Sequence, residues 1–313
     1  MDRFFTSILF LIATALLAGC GGGTGGGTGV LAVQITDAKV DEAYAVVLHY
    51  TQVTIHGQGG NTVVDVYDPV TNQPGRSINL LEYTNGASVV LFAEELPAGN
   101  YSWMRLEMDF DVKKSYIQLT EFSDPQPLNC TSCEKNGVKL NRSFTIETDQ
   151  IVEFTLDFDL RSSITLASNG TEYILRPTVR VVPTEASGAI AGTVDPTLIA
   201  TLGSDGEGCA VYVFNGADAQ VDDIYIPLDM PVPDTQNNPV TTAMVDSDVD
   251  PNDPELRNYT YTAAFLPVGT YTVSLTCDAR QDDSATDDVL VFTGTTNASV
   301  TAGQTTTVDF DGG

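Results

Sequence analysis

The feature that most constrains this chain is a period-two alternation of apolar and polar residues, broken by Gly, Pro, Asn and Asp, from Val30 onward. Successive side chains of a strand point to opposite faces, so this alternation is typical of strands with one buried face. The pattern predicts strands at 30–35, 44–55, 88–92, 101–110, 144–146, 151–158, 173–182, 189–194, 209–214, 259–265, 271–277, 289–292 and 305–310. The one helical feature that we predict is a turn near 78–83. The sequence therefore predicts an all-β fold of two tandem antiparallel β-sandwiches.

The N-terminus reads as an export signal. Residues 4–18 are apolar over about the length of a signal-peptide core and end in Leu17-Ala18-Gly19-Cys20. This ending resembles the bacterial lipobox, in which small residues precede a cysteine that receives lipid. The resemblance implies that residues 1–19 are a lipoprotein signal peptide and that Cys20 becomes the acylated N-terminus. The alternative is an ordinary cleaved signal peptide with an incidental cysteine.

A glycine-rich segment follows Cys20. Residues 21–29 read GGGTGGGTG, which offers nothing to bury and predicts a flexible tether. Such a chain reaches about 15–18 Å on average. Gly21, rather than Asp, follows the cysteine, which resembles the outer-membrane class of Gram-negative lipoproteins. We therefore expect an outer-membrane lipid anchor, on either the periplasmic or the surface face, and a membrane partner through the lipid on Cys20.

Charge divides the rest of the chain into two parts. The whole chain has a formal net charge of −28, with 14 basic and 42 acidic residues, which excludes nucleic-acid binding through phosphate contacts. Residues 30–186 hold 21 acidic and 11 basic residues, whereas residues 187–313 hold 20 acidic and 2 basic residues. We predict a first β-sandwich at 30–183 and a second, acidic one at 188–313.

Two short motifs recur between these parts. Leu96-Pro97-Ala98-Gly99-Asn100-Tyr101 matches Leu266-Pro267-Val268-Gly269-Thr270-Tyr271, and each precedes a predicted strand. Asp149-Gln150 likewise precedes one strand and Gly303-Gln304 another. This repetition indicates two related sandwiches rather than a solenoid, which needs at least three repeats.

Several blocks carry family resemblances. The blocks at 33–38, 96–101, 156–163 and 173–182 resemble the bacterial lipoprotein domain known as domain of unknown function 4382, over about residues 30–182. That resemblance implies a location and a β fold but no activity. The blocks at 188–194, 266–271 and 300–310 are similar to prealbumin-like, carboxypeptidase-regulatory sandwiches. These imply a non-catalytic module structurally similar to starch-binding sandwiches, although the acidic insert at 215–259 departs from that compact pattern.

Four cysteines remain after Cys20, an even number that favours disulfides in an exported chain. We expect Cys209 to pair with Cys277, which would contribute about 4 kcal/mol in the chain-entropy model. Cys130 and Cys133 would then close a tight loop. The alternatives for this CxxC pair are a redox dithiol or half a zinc site.

One acidic segment is a candidate calcium site, because carboxylates at alternate positions can converge on one hard cation. The candidate ligands are Asp246, Asp248, Asp250, Asp253 and Glu255. Pro251 stands at the position of the EF-hand turn glycine and Arg257 at that of its bidentate glutamate. An EF-hand is therefore excluded, and the choice lies between an irregular calcium loop and a solvated acidic loop. A weaker second cluster comprises Asp282, Asp283, Asp287 and Asp288.

Trp103, the single tryptophan, is the candidate ligand-binding residue, because it alternates with charged neighbours and would offer an aromatic face to a sugar. A packed sandwich tryptophan is the alternative. His49 and His56 are seven residues apart, so a regular strand places them on opposite faces, and no GxSxG motif is present. The sequence thus carries no catalytic signature.

These features predict a non-catalytic envelope lipoprotein that acts as a surface or periplasmic binding or adhesion module, with Ca²⁺ as a possible cofactor and a glycan or envelope protein as partner. The alternatives are a carbohydrate-binding module, a structural or assembly component of the envelope, and a polysaccharide hydrolase.

The calcium hypothesis predicts that millimolar calcium raises the melting temperature of the soluble chain (residues 30–313) relative to chelator. A ligand at one hundred times its Kd adds about 2.7 kcal/mol, which shifts the melt by several degrees. Differential scanning calorimetry measures this shift, and Asp248→Ala with Asp250→Ala should abolish it. An equal melting temperature in chelator and in calcium would contradict the calcium hypothesis and favour a solvated acidic loop at residues 246–255.

Overall fold

A computed structural model describes residues 26–38, 43–167, 170, 172–227, 232–233, 236–250 and 253–312. The predicted signal peptide, Cys20 and most of the tether lie outside the described residues. Thr28 and Gly29, which we expected in the tether, belong to the first strand.

The first half contains fourteen strands and two short α-helices in its described residues. They are β1 (Thr28–Ala38), β2 (Ala45–Gly57), β3 (Gly60–Asp65), β4 (Arg76–Asn79), β5 (Val89–Pro97), β6 (Gly99–Met108), β7 (Tyr116–Gln118), β8 (Gln126–Asn129), α1 (Thr131–Asn136), β9 (Val138–Leu140), β10 (Phe144–Ile146), β11 (Ile151–Asp159), α2 (Leu160–Ser163), β12 (Ile164–Leu166), β13 (Tyr173–Leu175) and β14 (Val179–Pro183). Short 3₁₀ helices occupy Leu80–Glu82, at the predicted turn, and Thr184–Ala186.

The second half contains eight strands and one α-helix in its described residues. They are β15 (Ser187–Val194), α3 (Pro196–Thr201), β16 (Ala210–Asn215), β17 (Thr241–Met244), β18 (Asp246–Asp250), β19 (Asp253–Pro267), β20 (Gly269–Thr276), β21 (Phe292–Val300) and β22 (Thr305–Thr307). A 3₁₀ helix lies at Ala279–Gln281. None of the helices described in either half is long and apolar enough to cross a membrane.

Each half is a sandwich of two sheets around its own hydrophobic core. In the first half, the sheet β14-β11-β1-β5 packs against a ten-stranded sheet built around β2 and β6. In the second half, the sheet β18-β19-β15-β22 packs against β17-β16-β20-β21. The alternation places Leu31 and Leu156 in the first core and Val211 and Val273 in the second, all fully buried. The all-β prediction is therefore confirmed.

The two sandwiches repeat one topology. The first strand of each half is central in its sheet: β1 lies antiparallel to β5 and parallel to β11, and β15 lies antiparallel to β19 and parallel to β22. In the facing sheets, β6 lies between β2 and β10 as β20 lies between β16 and β21. Each of these two sheets thus adds one parallel pair, β1 with β11 and β15 with β22, to the antiparallel pairs that we predicted.

The recurring sequence motifs occupy equivalent places in this topology. The Tyr101 hydroxyl donates a hydrogen bond to the carbonyl oxygen of Pro97 at 2.8 Å, and the Tyr271 hydroxyl donates one to Pro267 at 2.7 Å. Both bonds tie the turn between two adjacent strands to the start of the second strand. The motif therefore marks the corner where the chain passes from one sheet to the other.

The acidic insert of the second half covers the outer face of the sheet formed by β16, β17, β20 and β21. Its residue Ile224 packs with Tyr212 and Phe214 in a second buried cluster outside the main core. Five of the six residues of β16 are buried, because this strand has a core on both of its faces. The insert thus explains why β16 reads as a continuous apolar run.

Three predicted strands differ from the structure. The run 173–182 is two strands, separated at Pro177, because proline cannot donate to a sheet ladder. The strand predicted at 289–292 begins only at Phe292, and Val289 is exposed. The strand predicted at 305–310 ends at Thr307, with an isolated bridge at Phe310.

Gly29 and Gly188 occupy equivalent positions in the two halves, and at each of them a neighbouring backbone carbonyl group leaves no room for a side chain. A Cβ atom on Gly29 would lie 2.4 Å from the carbonyl oxygen of Glu147, and one on Gly188 would lie 2.4 Å from that of Thr301. Both contacts occur where the first strand of a half meets the turn before its parallel partner. We predict that Gly188→Ala lowers the free energy of unfolding by about 1–3 kcal/mol through overpacking.

The matched control for this prediction is Gly269→Ala, whose Cβ would have its nearest neighbour at 3.7 Å. Urea unfolding of both variants measures the difference. Equal stability of Gly188→Ala and Gly269→Ala would contradict the assigned packing.

Candidate functional site

The structure pairs the cysteines as predicted. Cys209 at the start of β16 bonds to Cys277 at the end of β20, and Cys130 bonds to Cys133. The disulfide Cys209–Cys277 joins two neighbouring strands of one sheet and closes the second core.

The CxxC pair begins a helix, which the sequence analysis did not expect. Cys130 is the N-cap residue of α1, and its sulfur accepts a hydrogen bond from the backbone N–H of Cys133. Both cysteines are buried, at 1% and 3% exposure, and both belong to the first core. Because the sulfurs are inaccessible and joined, the structural alternative is favoured over the redox or zinc alternatives.

The candidate calcium ligands lie on a β-hairpin, so the expected irregular loop was wrong. Asp246, Asp248 and Asp250 belong to β18, and Asp253 and Glu255 belong to β19, which pairs with it. Strand geometry spreads these residues along the hairpin instead of wrapping them around one point.

The structure describes the side chains of only two of these five acids. Asp246 accepts a hydrogen bond from the side-chain amide of Asn85 in the first half. Asp248 is exposed and does not belong to the group of carboxylates that the described residues bring within metal-binding distance. Calcium binding by this hairpin stays a prediction.

The second acidic cluster of the sequence is divided by the structure. Asp282 and Asp288 approach Asp223 of the insert, with one oxygen of each carboxylate within 4.8 Å of the others. Asp283 and Asp287 are exposed. The sequence analysis missed Asp223, because it lies 59 residues before Asp282 and its segment carries no repeating pattern.

Protein groups already occupy these three carboxylates. Asp282 accepts hydrogen bonds from the Tyr212 hydroxyl, from Arg161 of the first half and, at 3.2 Å, from the backbone N–H of Ile224. Asp223 accepts one from the side chain of Gln236 at 2.8 Å. A cation is also present, since the Arg161 guanidinium lies 5.4 Å above the Tyr212 ring. The cluster is therefore a joint between the two halves rather than an open metal centre.

Burial dominates the electrostatics of this joint. The Asp282 side chain is fully buried, and desolvation raises its pKa from 3.8 to about 6, against the opposing effects of Arg161 and the Tyr212 hydrogen bond. Burial also raises the pKa of Asp223 and that of Tyr212. The joint therefore favours the protonated form of Asp282 more than an unfolded chain does.

The two histidines of β2 differ in environment. His49 is buried at 8% exposure, and its Nδ1 lies 2.9 Å from the Ser77 hydroxyl. Burial is the main cause that lowers its pKa. His56 is half-exposed and lies on the outer face of the sheet. The expected placement on opposite faces was wrong: a β-bulge between Tyr50 and Gln52 shifts the alternation, so both histidines lie on the face away from the core. Among the described residues they share no metal-binding cluster.

Trp103 is a half-exposed residue of β6 that lies among basic side chains. The His56 ring on β2 stacks on it with 4.9 Å between ring centroids and 12° between planes. Lys139 Nζ on β9 lies 4.9 Å from the ring centroid, and the Arg105 guanidinium lies 5.9 Å from it. We call these four residues the Trp103 patch.

Basic side chains lie against the Trp103 ring, a surrounding that the sequence did not predict. His56 and Lys139 reach the ring from the two strands that flank β6. Cation–π attraction and stacking hold the basic groups in a row across three strands. The sequence analysis found Trp103 but missed Lys139, because strand pairing alone brings it near.

A groove of ≈500 Å³ adjoins the Trp103 patch. Its polar lining comes from the ends of β2, β6 and β10 and from the residues beside them, and it comprises His56, Gln58, Asn100, Ser102, Ser143 and Thr145. The volume falls in the range of small-ligand sites. His56 belongs to both the groove and the patch, so the two form one continuous surface.

The fold and this surface define a class: a disulfide-bonded protein of two β-sandwiches with a polar groove beside a basic patch on the first. Residues 28–177 match the model of a family described as a domain of unknown function, DUF4382. The match confirms the resemblance that we identified over about residues 30–182. No curated protein matches the chain.

Two solved structures are similar to the chain at low scores. The minor pilin of Streptococcus agalactiae has 9% identity and a TM-score of 0.18, covering 89% of this chain and 94% of that one. The major pilin of Streptococcus pyogenes has 13% identity and a TM-score of 0.15, covering 91% and 97%. At these TM-scores the likeness carries no argument.

The raised pKa of Asp282 predicts a pH-dependent stability. Its folded pKa of about 6 exceeds its ordinary value of 3.8, so the folded chain binds this proton more tightly. The associated stability is present below about pH 4 and is lost as the pH rises through 6, on the order of 2 kcal/mol. We expect Asp282→Asn to remove this part of the pH dependence.

Urea unfolding between pH 4 and pH 7 measures the effect. Asp287→Asn removes the same unit charge from an exposed position and should keep the wild-type slope. Identical slopes for the two variants would contradict the assigned burial of Asp282.

Proposed function

We propose that the protein is a non-catalytic, lipid-anchored envelope protein that binds a glycan through the Trp103 patch and its groove. The observation that carries this proposal is the continuous surface that joins the patch to a groove lined by amide and hydroxyl side chains. Such groups match the hydrogen-bonding pattern of sugar hydroxyls.

The proposed anchor and this surface lie at the same end of the first sandwich. The backbone N–H of Ala98 donates a hydrogen bond to the carbonyl oxygen of Gly27 at 2.7 Å, and Ala98 is two residues from Asn100 in the groove. Gly27 is seven residues from Cys20. A lipid on Cys20 would therefore hold the groove within about 20 Å of a bilayer surface.

The same reasoning supports the localisation that we propose. The two disulfides suit an oxidising compartment. An envelope protein with this tether can present its groove to polysaccharide close to its own membrane.

The anchor predicts a simple change of location. Cys20→Ser should remove acylation and move the protein from the membrane fraction to the soluble fraction. Metabolic labelling with a fatty acid and fractionation measure both effects. Retention of label or of membrane attachment in Cys20→Ser would contradict the anchor.

The glycan proposal predicts saturable binding to envelope polysaccharide that depends on Trp103. We expect Trp103→Ala to raise the Kd about tenfold, because His56 and Lys139 lose the ring that positions them. Isothermal titration calorimetry against a polysaccharide panel measures this change.

Phe122→Ala is the matched control, since Phe122 is 92% exposed and lies outside the patch and groove. It should bind like the wild type. Equal affinities of the two variants would contradict the assigned surface, and circular dichroism melts confirm that both remain folded.

A further inference from the structure

The geometry points to anionic sugars as the ligand class: we infer that the Trp103 patch binds phosphate or carboxylate groups carried on a saccharide. This inference deepens the proposed function and rests on it. It concerns the charge of the ligand, which the proposed function leaves open.

The Trp103 patch concentrates positive charge on a strongly acidic protein. The chain has 14 basic residues against 42 acidic ones, and two of the basic residues lie beyond residue 186. In contrast, residues 135–146 contain Lys135, Lys139 and Arg142 and no acidic residue. This segment includes β9, which pairs with β6 opposite Arg105.

Within the Trp103 patch, Lys139 is the cationic side chain that can contact a ligand, because Arg105 is paired with a carboxylate. Arg105 Nε lies 2.6 Å from Glu107 Oε1, so one carboxylate balances one guanidinium. Lys139 is exposed, and among the described residues no carboxylate lies within ion-pair distance of its ammonium group. His56 Nδ1 lies 2.6 Å from the side-chain oxygen of Asn61, which orients the imidazole.

The contacts of the Trp103 ring favour charge rather than stacking as the basis of recognition. Neutral sugars bind aromatic platforms through an open ring face, whereas here the His56 ring stacks on Trp103 and Lys139 Nζ lies 4.9 Å from the ring centroid. An anion that approaches Lys139 gains a charge-assisted hydrogen bond without displacing either contact. The neighbouring groove then has room for the uncharged part of the saccharide.

The acidic remainder of the protein adds selectivity. A net charge of −28 repels polyanions from most of the surface, so an anionic saccharide chain is expected to approach the protein at the Trp103 patch. The groove lies beside Gly27, at the tethered end of the sandwich. The anionic groups could therefore belong to glycolipid headgroups of the anchoring membrane or to a free acidic polysaccharide.

The test uses the full chain carrying Cys20→Ser, so that no acyl group contributes to binding. Its three probes are polygalacturonate, phosphatidylcholine vesicles that contain bisphosphorylated lipid A, and neutral dextran. We expect binding to at least one anionic probe, weakening at high salt, and no binding to dextran. Binding to vesicles alone would assign the anion to a lipid headgroup, and binding to polygalacturonate alone would assign it to a free polysaccharide.

Charge variants localise the site. Lys139→Gln should raise the Kd for the anionic probe about tenfold, because a charge-assisted hydrogen bond is lost. Lys113→Gln removes an exposed lysine outside the patch and should change the Kd by less than about twofold.

The outcomes separate this inference from the proposed function. Salt-independent binding to dextran, or equal effects of Lys139→Gln and Lys113→Gln, would overturn the anionic class while leaving a glycan-binding protein. Absence of binding to all three probes, together with no binding across the polysaccharide panel, would overturn both.

Discussion

The central position of the first strand in each half governs the whole architecture. β1 pairs on one side with β5 and on the other with β11, more than one hundred residues later. β15 does the same with β19 and β22. The first strand of each half therefore lacks its second neighbour until β11 or β22 closes the sheet against it. Gly29 and Gly188 allow this closure, because any side chain there would collide with a backbone carbonyl group.

The second half departs from the first where the acidic insert folds over its outer face. This insert creates a second apolar cluster around Tyr212 and brings Asp223 beside Asp282. Arg161 of the first half completes the joint by lying over Tyr212 and approaching Asp282. A buried charge is costly without a partner, so the joint constrains both halves to one arrangement. Asp282, which the sequence assigned to a weaker cation cluster, is here a partner of protein groups.

The surface that we propose as functional lies on the first half. Strand pairing brings the basic side chains of this surface together. His56, Trp103 and Lys139 come from three neighbouring strands and meet on one face of the sheet. The Trp103 ring lies against both side chains: it stacks with the His56 ring and makes a cation–π contact with Lys139. The adjoining groove lies beside Gly27, whose carbonyl oxygen accepts a hydrogen bond from the backbone N–H of Ala98.

Local patterns in the sequence determined much of this protein by themselves. Period-two alternation fixed the all-β class, the recurring Leu-Pro-x-Gly-x-Tyr motif revealed two related sandwiches, and the spacing of the cysteines favoured both disulfides. These features can be recognised in the sequence because strand alternation and turn residues depend on neighbouring positions, and disulfide pairing depends on the number of cysteines. Only the tertiary structure decided the parallel pairing of β1 with β11 and the hairpin that contains Asp246. It also decided which side chains surround Trp103 and which surround Asp282. Those depend on which strands become neighbours, a long-range property that no local pattern encodes.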